Sequence, residues 1–502
     1  MWLAAALLAP GIFQSCTRLD QKNYSAAPGE NFWQTPDQIA AGIAPSYQAL
    51  TSLPIGDVYQ LNDISGGAII VPTRGSDWYD NGAWQAIWTH KWQKDLGPIN
   101  NAWGALFNGI GKANFTLSAL NAISAKPANI ANINGELQIL RAYYYYMAMD
   151  MFGSVPVVTD FNADPSTIKN DKTRTEIFTF IEKEIKDNVA LLSATKDPST
   201  YGRMNQWGAQ TLLAKLYLNA QTYTGTARWA DCITACTAVI ASGKYSLESN
   251  YFDNFIVNNE GSKENIFVVP FDKKYIGGMN WEMTTLHYDH NKKYNLTSTP
   301  WNGFCSTADF YNNFDAADRR RAMFLVGQQF DANGNPINDA QTGLPLKISP
   351  YVNELSNPND TFRLAGARNV KYQPEAGTAG GASNDYAIFR LGDVYLMRAE
   401  AEFRLGQTAA ALADINLIRE RAYGDALHNW SLVDLTADNL YKEREREMAW
   451  EGWGRQDAIR FGHFGDARLP GKTADADAHL QIFPIPSPQI SANSKLVQNP
   501  GY

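Results

Sequence analysis

Residues 386–422, YAIFRLGDVYLMRAEAEFRLGQTAAALADINLIRERA, contain two consecutive helical patterns that meet near Gly406. Apolar residues recur every three or four positions on both sides of that glycine, which is the spacing of one helix face. Small residues recur where two packed helices would approach closely: Ala399, Ala401, Ala409 and Ala413. A helix pair of this form, at a period of about 34 residues, is typical of tetratricopeptide repeats.

The rest of the chain divides into helical ends and an irregular middle. A second helix pair spans residues 205–241, and helical patterns run over about 37–243 and again over 386–465. Residues 245–385 lose this periodicity and gain Gly, Asn, Asp and Pro. We therefore predict a mainly α protein, with a tetratricopeptide-like helical-repeat scaffold and a loop-rich middle region packed on it. Because the scaffold comes from both chain ends, we predict one interleaved domain over 37–502.

Composition limits the classes of function. The chain has 502 residues, a net charge of −8 and 12% aromatic residues, among them 14 Trp. It contains no block of basic residues, which disfavours nucleic-acid binding through phosphate neutralisation. Trp and Tyr enrichment suits either large cores or surfaces that stack on flat ligands.

The N-terminus predicts a lipid anchor. The apolar run MWLAAALLAPGI is followed by FQSC, so a short hydrophobic segment ends at a small residue and Cys16. A signal that ends in this way resembles a bacterial lipoprotein signal, although no Lys or Arg precedes the apolar run. We predict a signal peptide over 1–15, lipidation at Cys16 and a tether with a packing segment over 16–36. The alternative is an N-terminus with an incidental cysteine.

Two further cysteines, Cys232 and Cys236, lie four apart in a helical pattern. They share one helix face and do not form a C-x-x-C motif, so buried thiols are favoured over a disulfide framework.

No recognised catalytic motif is present. His287, Asp289 and His290 cluster in HYDH but lack a further ligand nearby, so a polar loop is favoured over a metal site. Residues 328–339, QQFDANGNPIND, predict a hairpin with Asn-Gly at its tip. The alternative of a calcium loop lacks the required Gly, since Pro336 occupies that position.

The densest charge cluster is EREREMAWEGWGRQDAIR. Glu451 and Arg455 lie four apart, and Arg444 and Glu447 lie three apart, so both pairs could form on a helix surface. This pattern predicts a structural helix with salt bridges rather than a site.

Aromatic residues fall in two polar loops. Trp84, Trp88 and Trp92 have helical spacing, and we assign Trp88 and Trp92 to packing. Residues 52–83 are loop-like, and their end, RGSDWYDNGAW over 74–84, places aromatic rings among short polar side chains. A second such patch is NLTSTPWNGFCSTADF, over 295–310. Aromatic faces stack on the C–H-rich faces of sugars, while Asp, Asn and Arg bond hydroxyls. The alternative is that these rings fill the core.

Taken together, ordered segments along the chain resemble the SusD/RagB family of nutrient-binding outer-membrane lipoproteins. The segments that carry the resemblance are ENFWQTPDQIAAGIAPSYQAL (30–50), ELQILRAYYYYMAMDMFGSVPVVTD (136–160), FRLGDVYLMRAEAEFRLG (389–406), EREREMAWEGWGRQDAIRFG (443–462) and FPIPSPQISANSKLVQNPGY (483–502).

The resemblance implies a tetratricopeptide-like scaffold, a surface-exposed lipid anchor at Cys16 and binding of a glycan or other oligomeric nutrient. It also implies a role as lid over a SusC-like, TonB-dependent transporter, with no bond-breaking. We predict no cofactor and no metal ligands. In such a family ligand contacts come from loops. The ligand-binding residues that we predict on this basis are Asp77, Trp78, Tyr79, Trp84, Trp301, Asn302, Cys305 and Arg368. Three alternatives remain: a peptide or glycopeptide cargo, an adaptor that binds a protein, and a glycoside hydrolase.

Overall fold

The computed structural model describes residues 32–124 and 126–502, and it is built mainly from helices. The predicted signal peptide over 1–15, Cys16 and most of the predicted tether lie outside the described residues. The helices are α1 Pro36–Gln48, α2 Asp57–Gly66, α3 Ala83–Trp88, α4 Gly97–Ala122, α5 Ile130–Phe152, α6 Arg174–Asn188, α7 Gln206–Leu218, α8 Ala220–Thr224, α9 Trp229–Ala241, α10 Trp281–Thr285, α11 Asn291–Tyr294, α12 Ala308–Asn312, α13 Leu391–Arg404, α14 Thr408–Tyr423, α15 Ala437–Glu447, α16 Gly454–Phe461 and α17 Ser487–Ala492.

Short strands form two-stranded pairs within or beside the middle of the chain. Their bounds are β1 Thr73–Arg74, β2 Asn265–Val269, β3 Phe324–Leu325, β4 Gly327–Gln328, β5 Lys347–Ile348, β6 Ser356–Asn357, β7 Arg368–Asn369 and β8 Tyr386–Arg390. β1 pairs with β6 in parallel, while β2–β8, β3–β7 and β4–β5 are antiparallel. The prediction of a mainly α fold is confirmed, and between α9 and α13 the described α-helices are only four or five residues long. The prediction that residues 52–83 are loop is wrong for the part of this segment that forms α2.

The pair α13–α14 forms as the helical pattern predicts. Gly406 has a φ of +74° between the two helices, and Gly424, with a φ of +87°, ends α14. Ala399 and Ala401 are fully buried, as expected for close approach. On α14 the expectation fails, because Ala409 and Ala413 are exposed. The buried face of α14 is formed instead by Ala411, Ile415 and Ile418. The positions of small residues alone therefore do not show which face of α14 is buried.

Helices from the two chain ends pack directly on each other. α13 contacts α9 and α7, and α16 contacts α2. In α5 the run Tyr143 to Tyr146 is buried in the core, and three of its hydroxyls are hydrogen-bonded. The Tyr146 hydroxyl donates to Gln456 Oε1 over 2.9 Å, which links an N-terminal helix to α16. A Cβ at Gly109 would lie 2.3 Å from the Tyr144 ring, so this glycine lets α4 approach α5 closely.

The charge cluster around α15 is structural, as predicted, but its partners are distant in sequence. α15 ends at Glu447, so Glu451 and Arg455 do not share a helix and their predicted pair is wrong. Arg455 Nη1 lies 2.6 Å from Asp150 Oδ2, and Glu451 Oε2 lies 2.7 Å from Arg390 Nε.

The second predicted pair is also wrong in its partners. Arg444 binds Asp393 over 3.0 Å and Asp457 over 2.9 Å, whereas Glu447 accepts from Arg320 over 3.0 Å. All five side chains are buried. Buried ions need several partners to offset lost hydration, and only the packing of separate segments supplies them.

Two smaller predictions are confirmed. Cys232 and Cys236 are free, buried thiols with their Sγ atoms 4.0 Å apart. Residues 328–339 form a turn in which the Asp331 amide donates to the Asn335 carbonyl oxygen and Gly334 takes a φ of +84°. In the portion of the chain with described coordinates, no helix combines the length and apolarity that crossing a membrane requires.

Candidate functional site

The first wall of the candidate site is the loop that joins β1 to α3. Arg74 and Asp77 exchange both backbone hydrogen bonds, which closes a tight turn. Trp78, Asp80 and Asn81 all have positive φ, at 61°, 39° and 54°. Non-glycine residues occupy this region at a cost and persist there when their surroundings hold them. The loop therefore presents the Trp78 side chain in a constrained position.

The second wall is the segment that follows α11. Trp301 donates its backbone amide to the Met283 carbonyl oxygen over 2.7 Å, and Asn302 donates to Leu286 over 2.9 Å. The Trp301 side chain remains 42% exposed. The two walls meet where Trp78 Nε1 donates to the Trp301 carbonyl oxygen over 2.7 Å.

Trp78 sits in an aromatic cluster. Its ring centroid lies 6.1 Å from that of Trp84 and 5.5 Å from that of Phe304, with tilted ring planes. A Cβ at residue 303 would lie 2.3 Å from Trp78 Cε2, so the indole occupies space that only Gly303 leaves open. Trp84 Nε1 donates to an Asp80 carboxylate oxygen, which ties the cluster back to the loop.

The walls enclose an open concavity of about 540 Å³, which we call the aromatic site. Its lining residues are Asp77, Trp78, Asp80, Tyr288, Thr299, Pro300 and Trp301.

Within the aromatic site, the Tyr288 hydroxyl donates to Asp77 Oδ2, and the Arg363 guanidinium lies 4.1 Å from the centre of the Tyr288 ring. Burial and the neighbouring Asp77 carboxylate raise the pKa of Tyr288 to about 12, so its hydroxyl stays protonated at neutral pH. Aromatic rings beside carboxylate and hydroxyl groups can stack on a sugar face and bond its hydroxyls.

The structure brings together three of the predicted contact residues: Asp77, Trp78 and Trp301 all line the concavity. Tyr79 is 55% exposed on the same loop, and Trp84 lies half-buried against Trp78, but neither belongs to the lining.

Direct ligand contact by Asn302, Cys305 and Arg368 requires correction. All three have an exposed fraction of 0%, so a ligand in the aromatic site does not reach them. Arg368 Nε donates to Asn302 Oδ1 over 3.0 Å and its Nη1 to the Ala365 carbonyl oxygen over 2.6 Å. Arg74 Nε donates to the Asn302 carbonyl oxygen over 2.9 Å. These hydrogen bonds support the second wall from its buried side.

Sequence reasoning missed Tyr288. Tyr288 lies in the HYDH segment, in which the two histidines are the candidate metal ligands. Nothing in the sequence indicates that Tyr288 faces a loop some two hundred positions earlier. His287 and His290 are fully buried, and burial lowers the pKa of both, that of His290 to about 3. Across residues 32–124 and 126–502, no group of three or more His, Cys, Asp or Glu side chains could hold a metal ion.

Fold and site together define a helical-repeat protein with an aromatic concavity built from loops. Residues 263–502 match the model of the SusD family, and residues 19–218 match a second family model, described as starch-binding and associating with the outer membrane. The chain belongs to the SusD family.

Relatives and solved structures agree with this assignment. The starch-binding protein SusD of Bacteroides thetaiotaomicron is 24% identical over 411 residues, covering 73% of this chain and 72% of the relative. Surface glycan-binding protein A of the same species, in complex with laminarihexaose, has a TM-score of 0.72 at 19% identity, covering 93% of this chain and all of that one. A laminarin-binding SusD-like protein has a TM-score of 0.72 at 23% identity, covering 94% of this chain and all of that one.

Proposed function

We propose that this chain is a non-catalytic glycan-binding lipoprotein of the outer membrane. It captures an oligosaccharide at the aromatic site and delivers it, as a lid, to a SusC-like TonB-dependent transporter. The observation that carries the proposal is the concavity in which Trp78 and Trp301 are joined by a hydrogen bond beside Asp77 and Tyr288. The laminarihexaose complex of a structural neighbour supports the ligand class.

The aromatic site combines two indole rings with groups that bond hydroxyls, namely Asp77, Asp80 and Tyr288. The loop is held before any ligand arrives, because backbone turns, Gly303 and the Arg368–Asn302 hydrogen bonds fix both walls. Preorganised walls lower the entropy lost on binding. We therefore expect a saccharide to bind without a large change in the loop.

A panel of purified oligosaccharides, measured by calorimetry, tests the proposal. We expect at least one glycan to bind the wild type and to lose about tenfold or more in affinity in Trp78→Ala and Trp301→Ala, since central aromatic contacts dominate binding energy. Tyr275→Ala is the matched control, because Tyr275 is 76% exposed and lies outside the aromatic site. Unchanged affinity in both tryptophan variants would contradict the site.

The same panel separates the alternatives. Reducing ends that accumulate during long incubation with a polysaccharide would replace the proposal with a glycoside hydrolase. Peptide or glycopeptide binding without affinity for any free glycan would replace it with a different cargo.

The lipid anchor has its own test. Cys16→Ala, expressed without the transporter in a host that processes lipoproteins, should move from the membrane to the soluble fraction. Ser25→Ala, in the predicted tether, is the control that should stay with the membrane. A Cys16→Ala protein that still partitions with membranes would overturn the anchor.

The transporter role is tested by co-expression with a SusC-like, TonB-dependent transporter from the same genome. We expect the two to purify as one complex. Isolation of each protein alone under the same mild detergent conditions would contradict the lid role while leaving glycan binding intact.

A further inference from the structure

A second concavity, of about 840 Å³, lies between α12, α15 and the segment 463–469. We call it the polar cavity, and none of its lining residues lines the aromatic site. Small-molecule sites commonly enclose about 300–1,000 Å³, so this volume suits a ligand of a few rings.

One wall of the polar cavity is aromatic. The rings of Tyr441 and His463 stack with centroids 4.7 Å apart and planes 22° from parallel, and Phe461 packs against Tyr441 at 5.5 Å. Burial and the neighbouring Glu445 raise the pKa of Tyr441, so its hydroxyl keeps its proton. The wall thus combines flat rings with a hydroxyl group.

Three exposed polar side chains of the lining have no bonding partner in the described chain. The side chains of Asp309, Asn312 and Lys442 line the cavity and form no hydrogen bond or ion pair with any described residue. Asp309 supplies acceptors, Lys442 supplies donors and Asn312 supplies both. A ligand that both accepts and donates hydrogen bonds would satisfy all three.

Arg468 adds a fixed donor to the polar cavity. Its Nη2 donates to the Ser65 carbonyl oxygen over 2.6 Å, and its guanidinium lies 5.0 Å from the centre of the Trp88 ring. Gly67 has a φ of +95°, and a Cβ there would lie 2.3 Å from Arg468 Nη1. The glycine therefore leaves room for the guanidinium, whose Nη1 forms no hydrogen bond within the described residues.

Glu445 can act as either donor or acceptor in the cavity. It is half-buried, and one of its carboxylate oxygens accepts from Asn313 Nδ2 over 3.1 Å. Burial raises the pKa of Glu445 to about 7, so protonated and ionised forms coexist near neutral pH.

The charges around the cavity nearly cancel, which disfavours a polyanion or a polycation. The ionisable lining side chains other than tyrosine and histidine are Asp309, Asp438, Glu445, Asp466, Lys442, Arg446 and Arg468. We propose that the polar cavity is a second saccharide site, which takes a short neutral saccharide on the Tyr441–His463 wall and bonds its hydroxyls through Asp309, Lys442 and Arg468.

Four forms of the full chain test this proposal: wild type, Trp78→Ala/Trp301→Ala, Asp309→Ala/Lys442→Ala, and all four substitutions combined. Saturation-transfer NMR with maltotriose, cellotriose and laminaritriose at millimolar concentration reports weak contacts. We expect at least one trisaccharide to keep its contacts in the tryptophan variant and to lose about tenfold or more in affinity in the combined variant.

Two further variants guard against indirect effects. Asn312→Trp places an indole at the mouth of the polar cavity, and it should block the same binding without removing a charge. Lys244→Ala, an exposed lysine elsewhere, is matched to Lys442→Ala and should change nothing. Because Asp309 and Lys442 are exposed, their loss should leave the unfolding midpoint unchanged.

Each remaining outcome overturns the proposal. Loss of all trisaccharide contacts in the tryptophan variant would assign every saccharide to the aromatic site. Equal affinity in the tryptophan and combined variants would place a second site elsewhere, and no contact with any trisaccharide in wild type would exclude a saccharide from the cavity.

Discussion

Gly303→Ala offers a steric test of the aromatic site that removes no ligand-binding group. The φ of Gly303 lies outside the left-handed region, so alanine is compatible with the backbone. Its Cβ would lie 2.3 Å from Trp78 Cε2, against 3.4 Å for an ordinary contact, so the indole must retreat by about 1.1 Å. The substitution therefore displaces Trp78 while leaving it in the sequence.

The magnitude follows from the contacts of Trp78. A shift of about 1.1 Å is enough to break the 2.7 Å hydrogen bond to the Trp301 carbonyl oxygen and to loosen packing on Phe304, 5.5 Å away. A displaced indole loses its stacking contact with the glycan, and it also loses the fixed position that the hydrogen bond to Trp301 gives it; each loss costs binding roughly 1 kcal/mol. Loss of one or both contributions weakens glycan binding by about 5- to 30-fold.

Calorimetric titration with the best glycan of the panel measures this loss. Gly104→Ala is the matched control, since Gly104 lies on α4, is exposed and has no atom near a new Cβ. Near-UV circular dichroism should report the moved indole in Gly303→Ala alone. Wild-type affinity in Gly303→Ala, together with lost affinity in Trp78→Ala, would refute the claim that Gly303 positions Trp78.

Three other perturbations probe the interior. Arg390→Ala leaves three buried carboxylates without this partner, and we expect unfolding free energy to fall by about 3–5 kcal/mol in urea titrations. Glu282→Gln should be as stable as wild type below about pH 4.5 and more stable, by roughly 2–3 kcal/mol, above pH 7. Cys232, Cys236 and Cys305 should resist a thiol reagent until the chain unfolds, because they are buried and thiolate is the reactive form.

The sign for Glu282 follows from its burial. Desolvation raises the pKa of Glu282 from 4.5 to about 7, so the folded state binds the proton more tightly than the unfolded state. The favourable contribution is complete below pH 4.5 and is lost as the pH rises through 7. Glutamine resembles the protonated acid and has no proton to lose, so the variant keeps this contribution at high pH. A difference between variant and wild type that is constant from pH 4 to 8 would contradict this reasoning.

The other two predictions have equally direct controls. Arg321→Ala removes a partly exposed arginine outside the buried network and should change unfolding free energy little. Equal destabilisation by both arginine variants would mean that Arg390 has no special role. The labelling is measured in Cys16→Ser, so that only the three buried thiols remain. If the native protein reacted as fast as the unfolded protein, the thiols would not be buried.

The helical scaffold could be predicted because it depends on short-range order. A helix face repeats every three or four residues, so the α13–α14 pair follows from spacing alone. α2 was missed because its buried face includes Asn62, Asp63 and Ser65, which do not look like core residues. Trp92 was predicted on a helical stripe with Trp88, but α3 ends at Trp88 and His90 takes a φ of +57°. Trp92 is nevertheless buried.

By itself, the sequence determined the helical class, the position of the loop-rich middle and the two aromatic loops. Only the tertiary structure decided that Trp78 bonds the Trp301 backbone, that Tyr288 joins them, and that Asn302 and Arg368 face inward. The physical reason is the separation along the chain of the residues that determine each property. Helical periodicity is a property of neighbouring residues, whereas burial and ion pairing depend on segments that meet only when the chain has folded. Arg390 shows this most clearly, since its partners Glu264 and Glu451 lie far from it along the chain.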